Sequence, residues 1–153
     1  MDECIIRYLQ KKHQVAIGIS ASEKLKIECT SALAGDSRPE ILNVVGKDLL
    51  TGIPRTMKIS REEIRESIEE PISAIIDAVR RALEKLPPEF VSDLNETGMI
   101  LTGGGALLRG LDKRIEDETD IKVYVTDDPL FFVVLGAGQA LEDMVRYKKV
   151  FIS

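Results

Sequence analysis

The chain has 153 residues, a size that fits one domain with a hydrophobic core of its own. Apolar residues make up 44% and charged residues 31%, as in ordinary globular proteins. The formal net charge of −5 argues against a nucleic-acid partner and against general attraction to anionic lipid. No apolar run is long enough to span a bilayer. The start, Met-Asp-Glu-Cys-Ile-Ile, lacks the basic segment and cleavage site of a signal peptide, so cytoplasm is the expected compartment. Cys4 and Cys29 fall in apolar helical patterns and read as buried free thiols. With His13 the only histidine, no Cys/His zinc site is expected.

Asp2 to Lys12 reads as a helix with Cys4, Ile5, Tyr8 and Leu9 on one face. Asp2 and Glu3 open it and Lys11 and Lys12 close it, in the sense that the helix dipole favours. Gln14 to Ile19 reads as a short connection or strand. Ser20 and Glu23 have capping-box spacing, which predicts a helix from Ser20 to about Leu33, stopped by Gly35. Leu25, Cys29 and Ala32 form its apolar stripe. Ile27 lies off that stripe and predicts contacts on a second side. Glu23 and Lys26 are surface neighbours at i and i+3, where an ion pair is ordinarily solvated and of little weight.

Glu40 to Val45 and Thr56 to Ile59 read as two strands, with Gly46, Asp48, Gly52 and Pro54 supplying turns. Ser60 and Glu63 repeat the capping box. They open the longest helical pattern, Arg61 to about Lys85, carried by Ile64, Ile68, Ile72, Ile75, Ile76, Val79 and Leu83. Pro71 should kink this helix or split it in two. Glu69 and Glu70 are adjacent, point to different faces and read as solvated surface, not as an acid–base pair. Leu86-Pro87-Pro88 ends the segment, and a short helical turn follows Pro88.

Met99 to Thr102 reads as a buried strand, followed by a tight turn at Gly103, Gly104 and Gly105 and a helix from about Ala106 to Glu118. Glycines there let the backbone turn sharply and let a ligand approach without a Cβ in the way. Unpaired amides at the start of the following helix suit phosphate or a nucleotide. A strand-to-helix connection that simply needs glycine is the other reading. The pattern is neither the Rossmann GxGxxG nor the P-loop, whose Lys-Ser/Thr is missing. Leu107, Leu108, Leu111 and Ile115 are expected to face inward, and Arg109, Lys113 and Arg114 outward. Ile121 to Val125 alternates like a half-buried strand. Asp127-Asp-Pro129 turns into a last helix. Leu130, Phe131, Val133, Val134, Leu135, Ala137 and Ala140 make that helix apolar on several sides, so it is expected to be buried against the sheet. Gly136 and Gly138 are expected to allow close approach of a neighbouring backbone. Strand–helix alternation with a two-strand insertion gives an α/β class.

Several stretches together resemble the MreB family of rod-shape-determining bacterial actins, in order and with similar spacing over nearly the whole chain. They are Glu23-Lys-Leu-Lys-Ile-Glu28, Gly46-Lys-Asp-Leu-Leu-Thr-Gly-Ile-Pro-Arg-Thr56, Glu69-Glu-Pro-Ile-Ser-Ala-Ile75, Leu101-Thr-Gly-Gly-Gly-Ala-Leu-Leu-Arg-Gly-Leu111, Asp128-Pro-Leu130 and Leu135-Gly-Ala-Gly138. The resemblance implies an actin-like ATPase fold. Residues 1–14 and 60–153 would form the ribonuclease H-like subdomain IIA without its first strands. Residues 15–59 would form the inserted small α+β subdomain IIB. It implies a nucleotide held by Gly103, Gly104, Gly105 and Ala106 on one side. Glu23, Lys24, Leu25 and Lys26 would hold the ribose and adenine on the other, with the Lys26 stem packed along the base. ATP is the implied ligand, with Mg²⁺ held through the other half of the cleft. In the family, the phosphate-binding hairpins and hydrolytic carboxylates lie upstream, and no Asp-Ile-Gly-Gly-Gly-Thr-Thr-like motif occurs here. The chain is therefore expected to be a truncated form or a fragment, inactive as an ATPase alone. It departs from the family at Phe131 and Phe132, where small or polar residues are usual. In a shortened chain their exposure would promote association.

The function implied is a share in ATP-dependent filaments that control cell shape and organise cell-wall synthesis. Implied partners are other filament protomers, a RodZ-like adaptor and the cell-wall elongation machinery, with no nucleic acid. Implied membrane contact comes only through the missing N-terminal half, giving a cytoplasmic, membrane-associated location. Two other readings stand beside it. One is a truncated, non-enzymatic interaction module that binds filaments or an adaptor. The other is another branch of the superfamily, a sugar kinase or chaperone, which the Glu69-Glu-Pro-Ile-Ser73 and Gly46-Lys-Asp-Leu-Leu-Thr-Gly52 stretches oppose.

Overall fold

The computed structural model describes residues 1–33, 41–144, 146 and 147. Gly35, expected to stop a helix, and Glu40, expected to start a strand, lie outside them.

Helix α1 (Asp2–His13) has the expected acidic start and basic end, and Gln14 closes it in the left-handed region at φ 55°. Its Ile5 and Leu9 are fully buried. Cys29 is buried as expected, but Cys4 is only half-buried, and its sulfur accepts from Arg7. Strands β1 (Val15–Ala16), β2 (Ile41–Asp48) and β3 (Pro54–Ser60) form an antiparallel sheet in that order. Val44 pairs with Met57 and Leu42 with Ile59, which puts Val44, Met57 and Ile59 on one buried face.

Helix α2 (Ile19–Cys29) differs from expectation at both ends. Gly18 is its N-cap, so Ser20 falls inside the first turn and the Ser20–Glu23 capping box does not form. It stops at Cys29 because Thr30 leaves in extended backbone, and the Ala32 amide donates to the Arg109 carbonyl at 2.8 Å. Arg61 donates to the freed carbonyls of Glu28 and Cys29 at 3.3 and 3.1 Å. Ile27 is exposed, and no second packed side of α2 forms there.

The long helical pattern splits into α3 (Arg61–Ser67) and α4 (Glu69–Leu83). The break is at Ile68, with φ −107° and ψ 2°. Pro71 thereby enters the first turn of α4, where a missing amide costs nothing. The Ser60–Glu63 capping box is present in both directions. Ile64, Ile68, Ile72 and Ile76 run along the inner side of this pair and join Ile5, Leu9, Val15 and Ile59 in the core. Each fully buried aliphatic side chain contributes about 1.5–3 kcal/mol.

Helix α5 (Pro88–Thr97) is longer than the single turn expected after Pro88. Strands β4 (Met99–Leu101) and β5 (Val123–Val125) pair in parallel, with Met99 opposite Val123. The helix expected from Ala106 to Glu118 is instead two pieces. A 3₁₀ turn spans Gly104–Leu107, Leu108 is extended, and α6 (Leu111–Thr119) begins after Gly110 at φ 72°. A Cβ at Gly110 would come within 2.9 Å of the Leu33 side chain, so the chain bends there around Leu33. Leu108, Leu111 and Ile115 face inward as expected, whereas Leu107 is exposed.

Helix α7 (Phe132–Glu142) is not buried against the sheet. None of its described side chains is buried, and an added Cβ at Gly136 or Gly138 would meet nothing within 4 Å. No described helix is long and apolar enough to cross a membrane.

Candidate functional site

Helix α2 and the glycine turn face each other across a cleft of about 400 Å³. Glu23, Lys26, Ile27 and Thr30 line one wall. Their spacing, i, i+3, i+4 and i+7, is one face of a helix. Gly104, Gly105, Leu107, Leu108 and Arg109 line the other wall, with Leu130 and Met1 completing the lining. Three residues of the 3₁₀ turn thus stand opposite a helix more than seventy positions away in sequence.

The turn is fixed from behind. The Gly103 amide donates to the Pro129 carbonyl at 2.8 Å, and the Thr102 hydroxyl donates to the same oxygen at 3.0 Å. Ala106 and Leu108 amides donate back to Gly103 and Gly105 carbonyls, each at 3.1 Å. The Ala32 to Arg109 hydrogen bond ties the two walls together. Gly103 needs its left-handed φ of 82° to make the turn. A Cβ at Gly103 or Gly105 would meet nothing within 4 Å, and one at Gly104 would meet only the Leu130 side chain at 3.4 Å. These glycines are therefore not filling a packed joint; open space stands over the backbone.

The structure brings Glu23 and Lys26 together with Gly104 and Gly105. The other four residues singled out in the sequence lie differently. Lys24 is exposed outside the cleft lining, Leu25 belongs to the core, Gly103 shapes the turn, and Ala106 is buried beneath it. Ile27, Thr30, Leu107, Leu108, Arg109 and Leu130 were not singled out as site residues. The off-stripe position of Ile27, one residue past Lys26, was a legible sign. The turn also lacks the dipole of a full helix, because a single 3₁₀ turn stands where a helix start was expected.

Glu23 and Lys26 do not pair with each other. The Lys26 ammonium lies 2.9 Å from Asp2 Oδ2, with both side chains about two-thirds covered. Among the described residues, no cluster of three or more His, Cys, Asp or Glu forms a metal site.

The cleft falls in the size range of small-molecule sites, about 300–1,000 Å³. Apolar groups (Ile27, Leu107, Leu108, Leu130) offer walls for a flat ring. Glu23, Lys26, Thr30 and Arg109 offer polar tips, and the glycine turn offers backbone that a ligand can approach closely. That donor set has the chemistry a nucleotide would need, with apolar surface for a base and polar groups for hydroxyls and phosphate.

A sequence profile described as MreB/Mbl protein matches residues 1–149. The cell shape-determining protein MreB of Escherichia coli strain K12 is 47% identical over 141 residues, covering 92% of this chain and 40% of that protein. The crystal structure of MreB5 of Spiroplasma citri bound to AMPPNP is 30% identical and superposes with a TM-score of 0.89, covering 97% of this chain and 44% of that one. The MamK filament solved by cryo-electron microscopy shares the fold, with a TM-score of 0.71 at 18% identity, over 98% of this chain and 45% of that one. The chain thus spans less than half the length of the relatives it matches. Its α/β architecture is actin-like, and with the profile match over nearly all of its length the chain belongs to the MreB/Mbl family.

Proposed function

We propose that this chain is the nucleotide-binding part of an MreB-like bacterial actin, which forms ATP-dependent filaments controlling cell shape and organising cell-wall synthesis. The observation that carries this reading is the meeting of Glu23 and Lys26 with Gly104 and Gly105 around one cleft. The relative from Spiroplasma citri is a complex with AMPPNP, which supports a nucleotide as the ligand. In this reading residues 1–14 and 60–153 are subdomain IIA and residues 15–59 the inserted subdomain IIB. ATP lies with its base toward Ile27 and its phosphates toward the turn, and Mg²⁺ is held through the opposite half of the cleft. Partners are other protomers, a RodZ-like adaptor and the elongation machinery. The location is cytoplasmic, at the membrane as part of the filament.

The test is calorimetric titration of ATP with Mg²⁺ into the purified chain, with oligomeric state recorded in the same sample. Saturable heat supports a usable half-site. A folded, monodisperse chain that takes up no ATP removes the assignment from these residues alone. The second reading, a non-enzymatic interaction module, has its own support in the exposed apolar side chains of α7. It expects association in that same sample without nucleotide.

A further inference from the structure

Among the described residues Lys26 is the one lysine lining the cleft, and its ammonium contacts a residue outside the lining. Its Nζ donates to Asp2 Oδ2 at 2.9 Å. Asp2 is the first residue of α1, and α1 is packed against α2. The same residue makes a second, separate contact: its backbone carbonyl accepts from the fully buried Ser22 hydroxyl at 2.8 Å. Asp2 Oδ1 is buried and accepts no hydrogen bond. The carboxylate therefore keeps unmet acceptor capacity in a partly dry place, and Lys26 is the cation in contact with it. A lysine stem free in water loses rotamer entropy when a ligand fixes it. A stem already held along the cleft wall loses less.

We propose that Asp2 is a positioning residue for nucleotide binding: its carboxylate holds the Lys26 stem against the α2 wall of the cleft before the ligand arrives. This inference rests on the nucleotide reading of the cleft. It separates Asp2 into two roles that can be removed independently. The side chain aims Lys26, and the backbone carbonyl, through Ser22, joins α1 to α2.

The experiment uses the full chain, with Asp2→Asn, Asp2→Glu and Ser22→Ala beside the unmodified protein. ADP is titrated by calorimetry, thermal unfolding is followed, and acetylation of Lys26 by acetic anhydride is read by mass spectrometry. Asp2→Asn should weaken ADP about tenfold and speed Lys26 acetylation several-fold. Asp2→Glu, which keeps the charge, should recover most of both. Ser22→Ala should lower the unfolding temperature and leave Lys26 acetylation and ADP affinity near those of the unmodified chain. If Asp2→Asn and Ser22→Ala weaken ADP alike, in step with lost stability, Asp2 is only structural and the proposal falls. ADP binding that is unchanged in Asp2→Asn overturns the positioning role alone. No ADP binding by the unmodified chain overturns the nucleotide reading and this role with it.

Discussion

Glu63 Oε1 stands 2.9 Å from His13 Nε2, joining the last residue of α1 to the first turn of α3. Lys12 Nζ reaches the same oxygen at 3.2 Å, while Glu63 Oε2 accepts from the Ser60 amide at 2.9 Å. One side chain thus closes a helix cap and a helix–helix contact. Burial pushes the Glu63 carboxyl up, but the Ser60 amide, Lys12 and His13 outweigh it and hold it at about 2, against an ordinary 4.5. A carboxyl that is more acidic in the folded chain stabilises the fold above its unfolded value, and this contribution is lost as pH falls. The window here runs from about pH 4.5 down to about 2. Glu63→Gln should cost about 1–2 kcal/mol at pH 7. It should also flatten the decline of stability across that acid window. Urea unfolding at pH 7 and through the acid range checks both. An unchanged acid slope in the variant would show that other carboxylates set it.

Glu69 accepts from Arg114 at 2.9 Å and lies 3.4 Å from Arg65, so one carboxylate links α3, α4 and α6. Arg114 also lies 3.6 Å from Glu118, which Arg80 of α4 contacts in turn. These side chains are between about a quarter and a half exposed, so each bond alone is weak. As a network, Arg114→Ala should destabilise by about 1 kcal/mol, and a double-mutant cycle with Glu69→Ala should show coupling of about 0.5 kcal/mol or more. Added salt should shrink the coupling. Strictly additive losses would leave the network without a role.

Periodicity in the sequence carried α1, the two long strands and the Ser60–Glu63 cap, because each depends on residues close together in the chain. The Ser20–Glu23 capping box failed for a tertiary reason: Gly18 caps α2, which begins at Ile19, and Ser22 of its first turn is committed to Asp2. Likewise, Glu69 looked solvated because its partner Arg114 is forty-five positions away. The break between the glycine turn and α6 was written in Gly110, but its cause, Leu33, is remote. Nothing local shows that Glu23 and Gly104 face one cleft. That pairing came from the family resemblance alone. The burial expected of α7 failed because apolar composition says that a helix seeks cover, not that the cover is present.

Two glycines separate fold from site. Gly98 has φ 77°, and a Cβ there would stand 2.7 Å from Tyr124 Cε2 and 2.8 Å from the Lys122 carbonyl. Gly98→Ala should therefore cost about 2 kcal/mol or more, through strain and a forced shift of β5. At Gly105 a Cβ meets nothing within 4 Å and φ is ordinary. Gly105→Ala should change stability by less than about 0.5 kcal/mol yet weaken ATP about tenfold or more, since the new methyl occupies the approach to the turn. Thermal unfolding and calorimetry on both variants read this contrast. Full ATP affinity in Gly105→Ala would move the phosphate away from the turn.

Helix α7 and the residues before it present Leu130, Phe131, Phe132, Val133, Val134 and Leu135 to solvent, with Val133 and Val134 exposed by 69% and 68%. Scattered exposed leucines are ordinary, but a contiguous run of this kind favours association. The chain should therefore sediment as species larger than a monomer as concentration rises. Val133→Lys with Val134→Lys should return it toward the monomer. Because neither side chain is buried within the chain, the unfolding free energy should move by less than about 0.5 kcal/mol. Sedimentation velocity over a concentration series, paired with urea unfolding, separates the two effects. If the lysine pair destabilised the monomer strongly, α7 would be packed in solution; if association persisted unchanged, another face, such as Ile100 and Tyr124 on the two-stranded sheet, would carry it.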